Sequence, residues 1–129
     1  MDKEKASQLL HTQHEVEGKF GPHAFDAVLA NGFPYAAFHA VSFELPQATE
    51  LDQLVDALAF KISDVRQINT KLPIGVLALP PKPDAHNRAE KIYDRALRTY
   101  SGLRASVITE EMAPNWIHEQ VKHIPLTDN

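Results

Sequence analysis

The sequence predicts an α/β fold in which helices cover both faces of a mixed β-sheet of about four strands. Residues 72–79 form a short, unbroken apolar run, which is typical of a strand buried on both faces. Residues 49–67 and 87–100 flank it and carry apolar side chains at helical spacing. Two further apolar runs, 23–30 and 35–45, precede them and alternate as strands do. The predicted order is α-β-β-α-β-α-β-α, in three α/β/α layers.

Length and composition indicate one domain over residues 1–129. The net charge is −4, there is no cysteine, and no apolar run is long enough to span a membrane. The N-terminal segment shows no secretory signal, and a chain without cysteine fits a reducing compartment. We therefore expect a cytoplasmic protein without membrane contact. The negative charge does not favour nucleic-acid binding, which would need a local basic patch.

The first three elements are predicted from spacing and from helix-ending residues. Residues 2–16 are predicted to form a helix, with Gly18 as its C-cap. The apolar residues on one face of this helix are Ala6, Leu9, Leu10 and Val16. The two strands follow at 23–30 and 35–45. The second is apolar on both faces and is expected to be central, and Pro46 ends it.

The remaining elements alternate helix and strand. Thr49 and Asp52 have the spacing of a capping box and begin a helix that continues to about residue 67. The strand at 72–79 ends at a proline-rich loop, and Asn87 is the predicted N-cap of the next helix. A last strand is predicted at 103–109 and a short helix at 115–123. Helices between successive strands imply parallel pairing through right-handed crossovers.

Two acidic residues lie on the first predicted strand pair, and their separation depends on the connection between the strands. A tight turn at Asn31-Gly32 would pair residue 26 with residue 37 and leave Glu44 roughly 23 Å further along. A longer loop around Pro34 would instead pair Asp26 with Ser42 and bring Glu44 close. Because proline cannot donate to a strand ladder, Pro34 favours the longer loop.

The element order and these acids resemble the PD-(D/E)xK nuclease superfamily, which implies a restriction-endonuclease-like topology. In that family an Asp on one strand and an acid on the next bind Mg²⁺, and a Lys two residues later supports the attacking water. Asp26 matches the first acid. Ser42 stands at the second acid and Glu44 at the lysine, and Lys61 on the following helix is the candidate for a displaced lysine. The resemblance thus implies a degenerate form of the site.

Three functions follow from these patterns. The first is a non-catalytic, nuclease-like domain that acts through protein association, with a protein partner or a second copy, or as an accessory part of a larger assembly. The second is an active Mg²⁺-dependent phosphodiesterase in which Asp26 and Glu44 bind the metal and Lys61 assists. The third is a sensor that binds a small anion or nucleotide at Asn87 and Arg88, because a helix N-terminus attracts anions.

Other charged and aromatic residues give weaker signals. The helix at 87–100 carries a basic stripe that could follow phosphates but is more simply a solvated face; its members are Arg88, Lys91, Arg95 and Arg98. His39, on an apolar strand, is expected to be a hydrogen-bonded core residue, with a catalytic role as the alternative. Two histidine pairs lack an obvious third metal ligand and are expected to be solvated; they are His11 with His14 and His118 with His123.

Overall fold

The computed structural model describes residues 8–44, 48–83 and 87–124, and it has the predicted α/β fold. A five-stranded mixed sheet replaces the predicted sheet of about four strands. In chain order the elements are β1 Leu10–Gly18, β2 Gly21–Ala30, β3 Pro34–Ser42, α1 Ala48–Ile68, β4 Ile74–Leu79, α2 Asn87–Gly102, β5 Ser106–Ile108 and α3 Ala113–Lys122. None of the described helices combines the length and the apolar character needed to cross a membrane.

The strand β1 corrects the prediction of a helix over residues 2–16. Residues 2–7 lie outside the described part of the chain, but from Leu10 onward the segment pairs antiparallel with β2, as far as the Gly18–Gly21 pair. The helical spacing was misleading because Leu9 and Val16 are buried in two different apolar clusters. An edge strand needs few buried side chains, since its ladder to a ten-residue neighbour supplies the hydrogen bonds.

The strands lie in chain order, β1-β2-β3-β4-β5, across the sheet. The first three form an antiparallel meander, and β3, β4 and β5 are parallel to one another. The parallel pairing predicted from the alternating helices and strands is therefore confirmed. The predicted strand at 35–45 is central, as expected, and its predicted end at Leu45 and Pro46 lies outside the described residues.

Two apolar clusters occupy opposite faces of the sheet. Val28 and Ala37 belong to the larger cluster, whereas their chain neighbours Leu29 and Ala36 belong to the smaller one. The larger cluster contains the apolar stripes of α1 and α2, and the smaller one receives Val121 from α3. The site described below lies on the side of α1.

Candidate functional site at the separation of β2 and β3

The strands β2 and β3 separate beyond the pair Ala27–Phe38, which is the last pair of their ladder. Beyond it, side chains bridge the two strands. The Asp26 backbone N–H donates to Nδ1 of His39 over 3.2 Å, and the Ala40 N–H donates to Oδ2 of Asp26 over 2.8 Å. The His39 ring and the Asp26 carboxylate therefore accept from two backbone N–H groups that a regular sheet would pair with carbonyl groups of neighbouring strands.

An irregularity in β2 accounts for this separation. Phe25 and Val28 are both fully buried in the same cluster, although strict alternation would place them on opposite faces. The strand must therefore change face at residues 26–27. Gln13, across from this point on β1, has a φ of 50°, and its side-chain amide lies 3.5 Å from Oδ1 of Asp26. The sheet is thus distorted on two neighbouring strands around Asp26.

The imidazole of His39 is held in one neutral tautomer by these contacts. Because Nδ1 accepts the Asp26 N–H, the ring proton of the neutral form is on Nε2. Burial lowers the pKa of His39 below its ordinary value; the nearby Asp26 opposes this change, and Lys61 adds to it. The ring packs edge-to-face on Phe25 at 5.9 Å between centroids. His39 is therefore the hydrogen-bonded histidine predicted from the sequence, and it keeps one N–H donor.

Lys61 is on α1, and its side chain reaches the point where β2 and β3 separate. Its Nζ donates to the Ala24 carbonyl over 3.0 Å, which ties α1 to β2 beside the separation. Between α1 and the C-terminal half of β3 lies a cleft of about 210 Å³. His39 and Lys61 line it together with Ser42 and the apolar side of α1.

The register matches neither of the two predicted arrangements. Extending the ladder from Ala27–Phe38 places Asp26 across from His39, not from residue 37 or Ser42. The connection is a loop at residues 31–33 with a bulge between Leu29 and Ala30, which neither model of the turn anticipated. Glu44 lies five residues past His39, roughly 16 Å along the chain at about 3.3 Å per residue. A single metal ion cannot bind two carboxylates at that separation.

The other predicted site residues do not converge on this cleft. Within the described ranges no three His, Asp or Glu side chains are grouped in a way that could hold a metal ion. The Asn87 side chain lies outside the described residues. Arg88 is exposed and lies 3.8 Å from Asp52 on α1, and Arg95 binds Asp52 and Asp56 at 2.8 and 3.3 Å. Half of the basic stripe is therefore paired with acids of the neighbouring helix.

A second polar cluster, which sequence reasoning missed, fastens the β1–β2 hairpin to α1. The carboxylate of Asp64 is 1% exposed, accepts the Phe20 N–H at 3.0 Å, and lies 2.7 Å from Nε2 of His23. Burial would raise the pKa of Asp64, but the bonds from His23 and Phe20 outweigh it and hold the pKa below its ordinary value. A Cβ on Gly18 would lie 2.5 Å from Oδ2 of Asp64, so this approach requires glycine.

The carboxyl ends of the parallel strands, where ligands commonly bind in open α/β sheets, are acidic in this chain. Glu44 and Glu110 line a shallow depression there with the proline-rich segment 80–83. These acids are exposed, and the part of the chain that is described shows no third ligand that would complete a metal site.

Comparisons with known proteins assign no function to this chain. The chain matches no protein-family model, and searches of curated proteins and of solved structures gave no match either. The resemblance to PD-(D/E)xK nucleases stays a prediction from the sequence.

Proposed function

We propose that this chain is a non-catalytic, nuclease-like α/β domain that acts through protein association. The observation that carries the proposal is the environment of Asp26. Its carboxylate accepts the Ala40 N–H and bridges two separated strands, and the described residues hold no group of three His, Asp or Glu side chains that could bind a metal ion there. Asp26 therefore has a structural role where an active enzyme of this kind would have a metal ligand.

The chemistry around Asp26 is unsuited to Mg²⁺. Magnesium prefers an octahedron of oxygen ligands at about 2.0–2.1 Å. The neighbours across the separation are the ring of His39, whose Nδ1 lies 3.7 Å from Oδ2 of Asp26, and the backbone of Ala40. The ammonium of Lys61, which acts electrostatically on His39 and donates to the Ala24 carbonyl, repels a cation. One carboxylate among these groups is a poor competitor for a strongly hydrated ion.

The sheet topology supports a relationship with the nuclease superfamily. The resemblance implies an Asp on one strand and an acid on the next, followed by alternating helices and parallel strands; Asp26 lies on β2, next to β3, and the helices and parallel strands follow. The residues of β3 beside Asp26 are His39, Ala40 and Val41, none of which is an acid or a lysine. A three-layer, restriction-endonuclease-like fold that has lost its second acid accounts for both features.

Exposed aromatic side chains support association with a protein. Phe20, at the tip of the β1–β2 hairpin, is 76% exposed, and Phe60 on α1 is 55% exposed. They share a neighbourhood, because the Phe20 N–H binds Asp64 and the His23 ring beside Asp64 packs on Phe60 at 5.6 Å. Aromatic residues are enriched at protein interfaces, and the hairpin is fastened firmly enough to present them.

Metal and nuclease assays test the absence of catalysis. Purified protein is incubated with single- and double-stranded DNA and RNA in Mg²⁺ or Mn²⁺, alongside Asp26→Asn. We expect no cleavage above the level of the variant, and no saturable Mn²⁺-induced relaxation of the amides of residues 24–27 and 39–42. Metal-dependent cleavage that disappears in Asp26→Asn would refute the proposal.

Sedimentation analysis over a range of concentrations tests association in its simplest form, with a second copy. Phe20→Ser and Phe60→Ser should weaken self-association, because each removes exposed aromatic surface from one patch. Phe33→Ser is the matched control, since Phe33 is 71% exposed but lies in the β2–β3 loop. An equal effect of Phe33→Ser, or a monomer at every concentration, would exclude the aromatic patch as a self-association surface.

A further inference from the structure

We infer that the cleft between β3 and α1 is a binding site for a small carboxylate that carries an apolar tail. This inference goes beyond the proposed function and does not depend on it. It rests on the shape of the cleft, on the hydrogen-bond donors at one end, and on the apolar wall formed by α1.

The two ends of the cleft differ because α1 runs antiparallel to β3. The strands β3 and β4 are parallel, so the helix that joins them must run back along the sheet. His39, in the middle of β3, therefore lies near Lys61, and Ser42, at the end of β3, lies nearer Leu54. The cleft thus has a polar end at His39 and Lys61, from which the apolar side of α1 extends toward Leu54.

The polar end offers donors that are suited to a carboxylate. Lys61 uses one of its three N–H donors on the Ala24 carbonyl and keeps the others. The neutral tautomer of His39 presents Nε2–H, because Nδ1 is occupied by the Asp26 N–H. The described residues that line the cleft include no carboxylate, and Asp26 lies on the Nδ1 side of the ring, where it accepts the Ala40 N–H. An anion is therefore favoured over an amine.

The size and the wall of the cleft define the remainder of the ligand. Leu54 is 42% exposed, and with Ala57 and Leu58 it forms an apolar surface that an alkyl chain would cover. The volume of about 210 Å³ lies below the range of about 300–1,000 Å³ for drug-sized ligands. One ammonium group matches a single negative charge better than the double charge of a phosphate ester. A chain of about six carbons is suitable in size.

The test is a titration of the ¹⁵N-labelled protein with hexanoate, monitored by two-dimensional NMR. Hexan-1-ol and hexylamine are matched probes of the same chain length without the negative charge. We expect saturable shifts from hexanoate at residues 39–42 and 54–61, at least tenfold weaker binding of hexan-1-ol, and none of hexylamine. Hexylamine or hexan-1-ol binding as tightly as hexanoate, or shifts centred elsewhere, would overturn the inference.

Variants separate the contribution of the charged head group to binding from that of the apolar wall formed by α1. Lys61→Met keeps the length of the side chain and should weaken hexanoate at least tenfold while leaving hexan-1-ol unchanged. Lys71→Met, at an exposed lysine outside the cleft, should leave both unchanged. Leu54→Glu, at a partly exposed position that should tolerate the change, is expected to abolish binding of hexanoate. Unchanged affinity in Lys61→Met or in Leu54→Glu would count against the site, and neither result bears on the nuclease assays.

Discussion

Replacing Arg66 with Met should destabilise the fold more than any exposed charge removal. Arg66 is 8% exposed, and its guanidinium donates to four backbone carbonyl groups at 2.7–3.2 Å. These carbonyls belong to Leu103, Asn69, Leu72 and Arg104. They join the end of α1, the approach to β4 and the turn between α2 and β5, so one side chain holds three segments of backbone.

The magnitude follows from these bonds. Hydrogen bonds to a charged group contribute about 1.5–3 kcal/mol each, which gives a gross value of about 6–12 kcal/mol for four. Removing the guanidinium also removes the cost of burying it, and that cost is several kcal/mol. Methionine keeps most of the apolar stem. We therefore expect a net loss of about 3–4 kcal/mol of unfolding free energy, a large part of the roughly 5–15 kcal/mol typical of a domain.

Urea unfolding, followed by circular dichroism and by Trp116 fluorescence, measures this loss. Arg98→Met is the matched control, because Arg98 is exposed on α2 and should change stability by less than about 0.5 kcal/mol. Arg66→Lys should be intermediate, since an ammonium group cannot span four carbonyls as the planar fork does. A loss below about 1 kcal/mol in Arg66→Met would refute the idea that these bonds outweigh the cost of burying the charge.

Two further predictions concern the fastening of the hairpin to α1. Gly18→Ala should lower the unfolding free energy by about 1–3 kcal/mol, because its Cβ would be forced against the Asp64 carboxylate. Gly102→Ala is the control and should be neutral, because a Cβ there meets nothing within 4 Å. Equal thermal midpoints of the two variants would contradict this prediction. Because the pKa of Asp64 lies below its ordinary value of 3.8 in the fold, its stabilisation is present above that pH and is lost as the pH falls through the lowered pKa. The difference in unfolding free energy between the wild type and Asp64→Asn, measured by urea unfolding, should therefore decrease from pH 6 to pH 3. A difference that stays constant would contradict this assignment.

The elements that the sequence predicts well are those whose own residues decide their structure. The stripe of α1 has the period of a helix over about four turns, and Leu51, Val55 and Ile62 are all fully buried. The run that forms β4 is apolar throughout because both of its faces are covered, with Ile74 on one face and the Gly75 backbone against Trp116 on the other. In both cases the local pattern and the tertiary environment agree.

The features that the sequence did not reveal depend on contacts between distant segments. β1 carries exposed, polar residues over most of its length, and only its ladder to β2 makes it a strand. Asp52 and Asp56 are unremarkable on α1 until α2 brings Arg95 against them. Asp64 lies beside apolar stripe residues and gives no sign that a hairpin 44 residues earlier donates to it. No pattern within one element encodes these pairings.

The position of Asp26 links the distortion of the sheet to the proposed absence of a metal site. In a regular hairpin the backbone of β2 would accept the Ala40 N–H, and the acid would be free to bind a metal ion. Because β2 changes face at residues 26–27, that acceptor is displaced, and the Asp26 carboxylate replaces it. At the same point the His39 ring accepts the Asp26 N–H at Nδ1, and the residue also lines the cleft. One irregularity in β2 therefore involves both the Asp26 carboxylate and the His39 ring in hydrogen bonds between the strands. Asp26→Asn keeps an acceptor and should leave the fold and the cleft intact. Asp26→Ala removes the acceptor and should disturb the amides of residues 39–42.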